Sequence, residues 1–367
     1  MDEPTLVSEA TEGFNSRPNS SSPQRPLPIV QGSHSSLEQE VEIDRMSCFR
    51  RPFENQGLSR EVTELLLASW RESTKAQYCS HIKRWVSYCS VLKIDPYQAS
   101  EKTILEFLAE LYNLGLGYSS INTARSALSS FVCHIRGCSA GNLPLVRRLL
   151  KGIFNLRPSV PRYNCVWDVK LVLKYLETLS PLSDNSLKDL TIKLTMLMVL
   201  LSAQRVQTLS LFKVDNMFID EEKCIITISD CLKQTNAHRR PPLITFKKYE
   251  NEKLCVIRTL KEYLTRTKDL RRNQNKLFLS YLKPHKPVHP NTISRWIKLV
   301  MERSGISTEI FKAHSTRAAS TSAASLKAVN IETILKTAGW SNAKTFARFY
   351  DKPIGNDEFA EAVLASG

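Results

Sequence analysis

Residues 312–353 read KAHSTRAASTSAASLKAVNIETILKTAGWSNAKTFARFYDKP, and three short pieces inside this stretch decide how the chain is read. The first is His314-Ser-Thr-Arg317. Spacing i, i+3 puts both cationic side chains on one helix face. Phe311, Lys312 and Ala313 precede the pair, and a run of Ala, Ser and Thr follows it. The pair therefore falls in the first turn of a small-residue helix, where anions are favoured and where the following face suits close packing. The second piece is Gly339-Trp340, a large ring with one N–H donor that also serves to plug a helix end. The third is Phe349-Tyr350, a phenol on a helix that also carries Phe346. Each piece alone has a bland reading, because His-x-x-Arg arises by chance and Tyr350 is also a fair core aromatic. Together they supply two cations, a hydrogen-bond donor and a lone phenol, a set able to clamp a phosphodiester and attack it.

Two cations upstream extend the set. Arg205 ends the apolar stretch Leu194–Ala203 and starts a new amphipathic turn. A cation there is either a snorkelling cap or an inward clamp. Lys233 lies in Cys231-Leu-Lys-Gln-Thr-Asn236, a polar segment between two β-rich patches, Cys224–Ile228 and Leu243–Phe246. Those patches read as a hairpin with a long charged turn.

The rest of the chain is mainly helical. Val62–Trp70 opens the ordered part, and Thr74 with Gln77 forms a capping-box pattern before a stripe of Tyr78, Ile82, Trp85 and Cys89. Helices are predicted over Thr103–Leu114, Ser119–Ile135 and Leu143–Phe154, a compact bundle. Arg157-Pro-Ser-Val-Pro-Arg162 reads as a Pro-bounded linker. Beyond it, Leu171–Leu179, Leu187–Leu201, Asn251–Thr265, Asn291–Arg303, Ala313–Leu326, Ile331–Thr337 and Ala343–Tyr350 read as helices. No internal repeat is present.

The chain has 367 residues, enough for two ordinary domains and a tail, and 42% of them are hydrophobic, which excludes global disorder. Net charge is +15 with a pI near 9.4, which points to a polyanionic partner. Residues 1–58 hold five arginines and nine acids, net −4, so the remainder carries +19. Rich in Ser, Pro, Gln and Glu, residues 1–58 read as a disordered tail. The nine cysteines are odd in number and lack a CxxC, so reduced thiols in an intracellular protein are expected. Cys133, His134 and Cys138 have no second ligand pair at metal spacing, so no zinc is expected. The start, Met1-Asp-Glu-Pro4, lacks the features of a signal peptide, and Leu190–Ala203 is too short to span a bilayer.

In order and spacing, Arg205, Lys233, His314, Arg317, Trp340 and Tyr350 resemble the catalytic set of the tyrosine recombinases, or phage-integrase-like enzymes. Residues 312–353 are especially similar to recombinases of eukaryotic mobile elements, of the DIRS or Crypton-like kind. The resemblance implies a mainly α protein with a small β-sheet. Its parts would be a tail (1–58), a SAM-like helical core-binding domain (59–156), a linker (157–167) and an α+β catalytic domain (168–367). It implies DNA integration or recombination through a 3′-phosphotyrosyl intermediate, with Tyr350 as nucleophile and Lys233 as general acid. Arg205 and Arg317 would hold the phosphate, His314 would orient it or take the phenol proton, and Trp340 would donate or pack. Neither a metal nor a nucleotide cofactor is required.

Double-stranded DNA is the implied partner, met by Lys75, Lys83 and Arg84, with base readout from an exposed helix around Asn122 and Arg125. A homotetramer on paired sites is implied, coupled through Phe359, Ala362 and Val363, along with a nuclear location, no membrane and no small-molecule substrate. Three departures stand out. Thr208 occupies a position where many members carry an acid, Trp340 stands where many have His, and the ten-residue step from Trp340 to Tyr350 is one longer than usual. Arg239 and Lys247 are alternatives to Lys233. A topoisomerase IB-like relaxing enzyme and a catalytically retired DNA-binding protein are the alternative functions.

Overall fold

The computed structural model describes residues 47–352, apart from 55, 161, 231–242, 341–342, 344–345 and 348–349. The chain divides into two compact units, residues 1–159 and 160–367.

The first unit is helical: α1 Ser47–Glu54, α2 Arg60–Ala68, α3 Glu72–Leu92, α4 Glu101–Asn113, α5 Tyr118–Phe131 and α6 Pro144–Leu156. Helix α1 corrects the extent of the expected tail. Phe49 is 1% exposed and meets Trp70 and Phe131 edge-on, with centroids 5.3 and 6.0 Å away. Burying one such ring contributes roughly 1.5–3 kcal/mol, enough to order a short segment whose composition looks polar.

Helix α3 starts at Glu72, so Thr74 lies inside it and the capping box does not form. Glu72 places its carboxylate in the first turn, favourable for the helix dipole, and holds the Lys75 ammonium at 2.6 Å. The expected stripe is the buried one, with Ile82, Trp85 and Cys89 all fully buried. Helix α5 stops at Phe131 rather than Ile135. Val132 turns extended, and the Cys133 amide donates to the Tyr97 carbonyl at 2.8 Å.

The expected linker is anchored at both ends. The Arg157 guanidinium donates to the carbonyls of Tyr112 and Leu116, at 3.1 and 2.8 Å, and lies 4.1 Å over the Tyr112 ring. Val166 and Trp167 are buried in the core of the second unit.

The second unit is built around one helix. Its elements are α7 Val169–Thr178, α8 Leu187–Ser202, α9 Val206–Leu209, β1 Met217–Ile219, β2 Lys223–Thr227, β3 Leu243–Lys247, α10 Val256–Thr267, α11 Pro290–Arg303, α12 Ser315–Leu326 and α13 Ile331–Ala338. Ser186 caps α8 by accepting the Asp189 amide proton. Twelve of the sixteen α8 residues are buried, with α10, α11, α12 and β3 packed around them. Lys193 is the one charge in that helix's buried set. Its ammonium donates to the Leu179 carbonyl and to Ser180 Oγ at 2.5 and 3.0 Å, and burial pushes its pKa down to about 8.

The sheet is antiparallel in the order β1-β2-β3. The expected hairpin is β2 with β3, in a register that pairs Cys224 with Phe246 and Ile226 with Ile244. All four face the core, as period-two alternation requires. The third strand, β1, joins through Phe218 opposite Ile225. Lys233 and Arg239 lie outside the described residues. Lys247 is exposed at the end of β3.

Candidate active site

Helix α12 carries the core of the site. His314 is its N-cap residue, and Arg317 stands one turn in. The helix fits tightly because its residues are small. The Ser320 hydroxyl donates to the Leu200 carbonyl of α8, and Ala318, Ala319 and Thr321 are buried. At its head Ser315 accepts from the Trp167 indole at 2.9 Å.

Arg317 is only 1% exposed. One of its terminal nitrogens donates to the Ala338 carbonyl at 2.6 Å, while Nε and the other terminal nitrogen are buried without a partner among the described residues. The guanidinium carbon lies 4.3 Å over the Trp340 ring and 5.6 Å over that of Tyr350. Desolvation, and then the charge of Arg205, push its pKa down to about 10, so it remains protonated at neutral pH.

Arg205 arrives from the far end of α8. That helix ends at Ala203 in the left-handed conformation, φ 48°, and Arg205 is the N-cap residue of α9. Gln204 ties this corner to α13 by donating to the Thr337 carbonyl at 2.7 Å. The Arg205 charge lies near enough to act on both His314 and Arg317. Among the described residues no carboxylate pairs with Arg205 or Arg317. Thr208, three residues after Arg205, is buried.

His314 Nε2 stands 3.3 Å from the Tyr350 hydroxyl. One edge of the imidazole is open to solvent, but the protein behind it, then Arg317 and Arg205, hold its pKa below the ordinary 6.5. The neutral ring is thus the prevailing form near neutral pH, with a lone pair available to a phenol proton. Trp340 packs against both the guanidinium of Arg317 and the ring of Tyr350. It lies 4.4 Å from the Tyr350 ring, in a small cluster with Ala203, Ile334, Ala338 and Phe346. The structure thus brings Arg205, His314, Arg317, Trp340 and Tyr350 together, from segments up to 145 positions apart in sequence.

The sequence model of the Phage integrase family matches residues 169–353, just over half of the chain and all of this site. The chain belongs to that family. Among solved structures, this family member is similar to the XerH site-specific recombinase bound to a palindromic difH substrate in a post-cleavage complex. There the identity is 16%, 80% of this chain and 79% of that chain are covered, and the TM-score is 0.55. It is also similar to the Tn1549 transposon integrase in complex with transposon right end DNA, at 13% identity, 88% and 98% coverage and a TM-score of 0.52. At these identities the likeness is one of fold, a mainly helical protein with a three-stranded sheet. No curated protein matches the chain in sequence.

In the first unit, Asn122 and Arg125 are half-buried on α5 rather than exposed. Arg125 donates to Asn122 Oδ1, the Gly141 carbonyl and Ser126 Oγ at 3.0, 3.1 and 3.3 Å, so it staples α5 to the turn before α6. A Cβ at Gly141 would collide with the Ser129 hydroxyl and the Arg125 side chain and displace them from this staple. Lys83 and Arg84 are exposed on α3, whereas Lys75 is half-buried on Glu72. Two side chains of the site escaped sequence reasoning, Gln204 and Ser322. Ser322 hides in a run of small residues, where no pattern distinguishes one hydroxyl from the next.

Proposed function

We propose that this chain is a site-specific DNA recombinase that breaks and rejoins strands through Tyr350. The observation that carries the reading is the pair of guanidinium groups, uncompensated by any described carboxylate, beside a phenol in contact with a neutral imidazole. A buried cation with unpaired nitrogens calls for an anion with several oxygens, and a phosphodiester supplies two non-bridging ones.

In this mechanism the Tyr350 oxygen attacks phosphorus as its proton passes to His314 Nε2. A bond forms from the phenol oxygen to phosphorus, and the bond from phosphorus to the 5′ oxygen breaks. The departing oxygen takes a proton from a general acid, the role proposed for Lys233. Arg205 and Arg317 hold the non-bridging oxygens and stabilise the extra charge of the five-coordinate transition state. Trp340 holds Arg317 and Tyr350 in place by packing against both, the guanidinium over its ring face. Reversal with a second 5′ hydroxyl rejoins the strand, and the covalent link conserves the bond energy throughout.

The substrate is duplex DNA, bound through the basic body with a strong salt dependence. Exchange between two duplexes needs four phenols, so a tetramer on paired sites is proposed. An element of the eukaryotic mobile class, acting in the nucleus, is the proposed setting, supported by the similarity of residues 312–353.

Incubation with a nicked suicide duplex bearing the recombination site is expected to give a protein–DNA adduct stable to SDS in the absence of Mg²⁺, and Tyr350→Phe to abolish it. No adduct from the wild-type chain, or an adduct that survives Tyr350→Phe, would mean a retired DNA-binding protein or a different nucleophile.

A further inference from the structure

Ser322 lies five residues beyond Arg317 on α12 and is 1% exposed. Its hydroxyl donates to the Tyr350 carbonyl at 2.6 Å and accepts the Lys352 amide proton at 3.2 Å. Both hydrogen-bonding roles of that buried hydroxyl are therefore filled by the backbone on either side of Asp351. The Tyr350 and Asp351 amides both donate to the Phe346 carbonyl, at 2.8 and 3.0 Å, which marks the end of a helical turn. A helix end leaves its last carbonyls without intrahelical partners. Here the Tyr350 carbonyl is taken up by a side chain from another helix.

We infer that Ser322 is a positioning residue for the phenol of Tyr350, an inference that rests on the recombinase reading above. Helix α12 carries His314 and Arg317 at its head and grips the Tyr350 backbone from its middle. The phenol is tied a second time, by His314 Nε2 at 3.3 Å. Backbone and side chain of the nucleophile are thus fixed to the helix that presents the anion clamp, and all three groups share one frame.

The neighbouring hydroxyls do something else. Thr321 bonds back to the Arg317 carbonyl of its own helix, and Ser320 reaches the Leu200 carbonyl of α8. Neither of these hydroxyls bonds to Tyr350. In-line attack tolerates little displacement, and about 1 Å of misplacement costs on the order of a hundredfold in rate. Without its tether, the turn that ends at Tyr350 loses the hydrogen bonds on both sides of Asp351 and samples positions from which the phenol cannot reach phosphorus.

The test compares wild type, Ser322→Ala and Ser322→Thr on the nicked suicide duplex under single-turnover conditions. Ser322→Ala is expected to lower the first-order rate of adduct formation by about 10- to 100-fold. Its affinity for the intact duplex should match wild type, and its melting temperature should fall by only a few degrees, the cost of the two lost hydrogen bonds. Hydrogen exchange should accelerate at the Lys352 amide, whose acceptor has gone, and stay unchanged at the Thr321 and Ser322 amides within α12. A folded Ser322→Thr, which keeps the hydroxyl, should restore both rate and protection. A wild-type rate in Ser322→Ala overturns the inference. So does a rate loss that comes with weaker duplex binding or with unfolding at the assay temperature, or one without faster exchange at Lys352, which would mark a merely structural hydroxyl. Absence of an adduct from the wild-type chain is the separate failure, that of the recombinase reading itself.

Discussion

Lys193 and Arg317 are both buried cations of the second unit, at 0% and 1% exposure, yet they are treated in opposite ways. Lys193 finds a carbonyl and a hydroxyl that stitch the middle of α8 to the chain around Leu179 and Ser180. Arg317 finds one carbonyl, two ring faces and another cation, and two of its nitrogens remain unpaired among the described residues. A satisfied buried charge is an internal fastening. An incompletely paired one, beside a second guanidinium, a phenol and an imidazole, is a candidate anion clamp. Burial alone does not separate the two cases, and the hydrogen-bond inventory does.

The largest expected effect attacks the Arg317 side of this contrast. Arg317→Met keeps much of the volume and removes the charge. Adduct formation should fall by about a thousandfold, as for loss of a transition-state anion donor. The melting temperature should hold or rise, because an incompletely paired buried charge is relieved. A variant that cleaves normally, or one that unfolds, would make Arg317 a fastening like Lys193.

A smaller effect is expected from Lys193→Met, which should leave the rate of adduct formation unchanged. Its signature is a pH dependence. The folded-state pKa of about 8 lies below the ordinary 10.5, so the fold penalises the protonated form. That penalty is complete below about pH 8 and fades as pH approaches 10.5, where the unfolded chain sheds the same proton. Denaturant unfolding at several pH values should show wild type gaining stability relative to Lys193→Met across this window. A flat difference would mean that the site solvates the ammonium well.

The smallest effect is a titration. In the free protein the C–H proton resonances of His314 should titrate below pH 6.5, because desolvation and two guanidinium charges disfavour imidazolium. Arg317→Met removes the nearer charge and should move the midpoint back toward 6.5. A midpoint above 6.5 in the wild-type chain would show that the two arginines do not act on the ring.

Much of the fold and of the site could be read from sequence, and the limits of that reading are physical. The i, i+3 spacing of His314 and Arg317 is a local property of a helix, so it survives translation into three dimensions. The helical stripe of Ile82, Trp85 and Cys89 is legible for the same reason. Arg125 was misplaced because its partner, the Gly141 carbonyl, returns from sixteen residues away, and nothing local announces it. Helix α1 was missed because two rings, Phe49 and Phe53, anchor an otherwise polar stretch. Strand β1 was missed because three residues are too few to show a period. The difference between Lys193 and Arg317 was not visible at all, since which carbonyls a buried cation meets is decided by tertiary folding.

Ala203 sets a narrow tolerance at the corner that delivers Arg205. A left-handed residue other than glycine costs about 1–2 kcal/mol. Its methyl group is nevertheless 3% exposed and packs in the cluster that holds Trp340. A larger side chain would have to adopt the same disfavoured backbone inside a filled cluster, and glycine would take the backbone but leave the space empty. Few residue types therefore satisfy the position that joins α8 to Arg205.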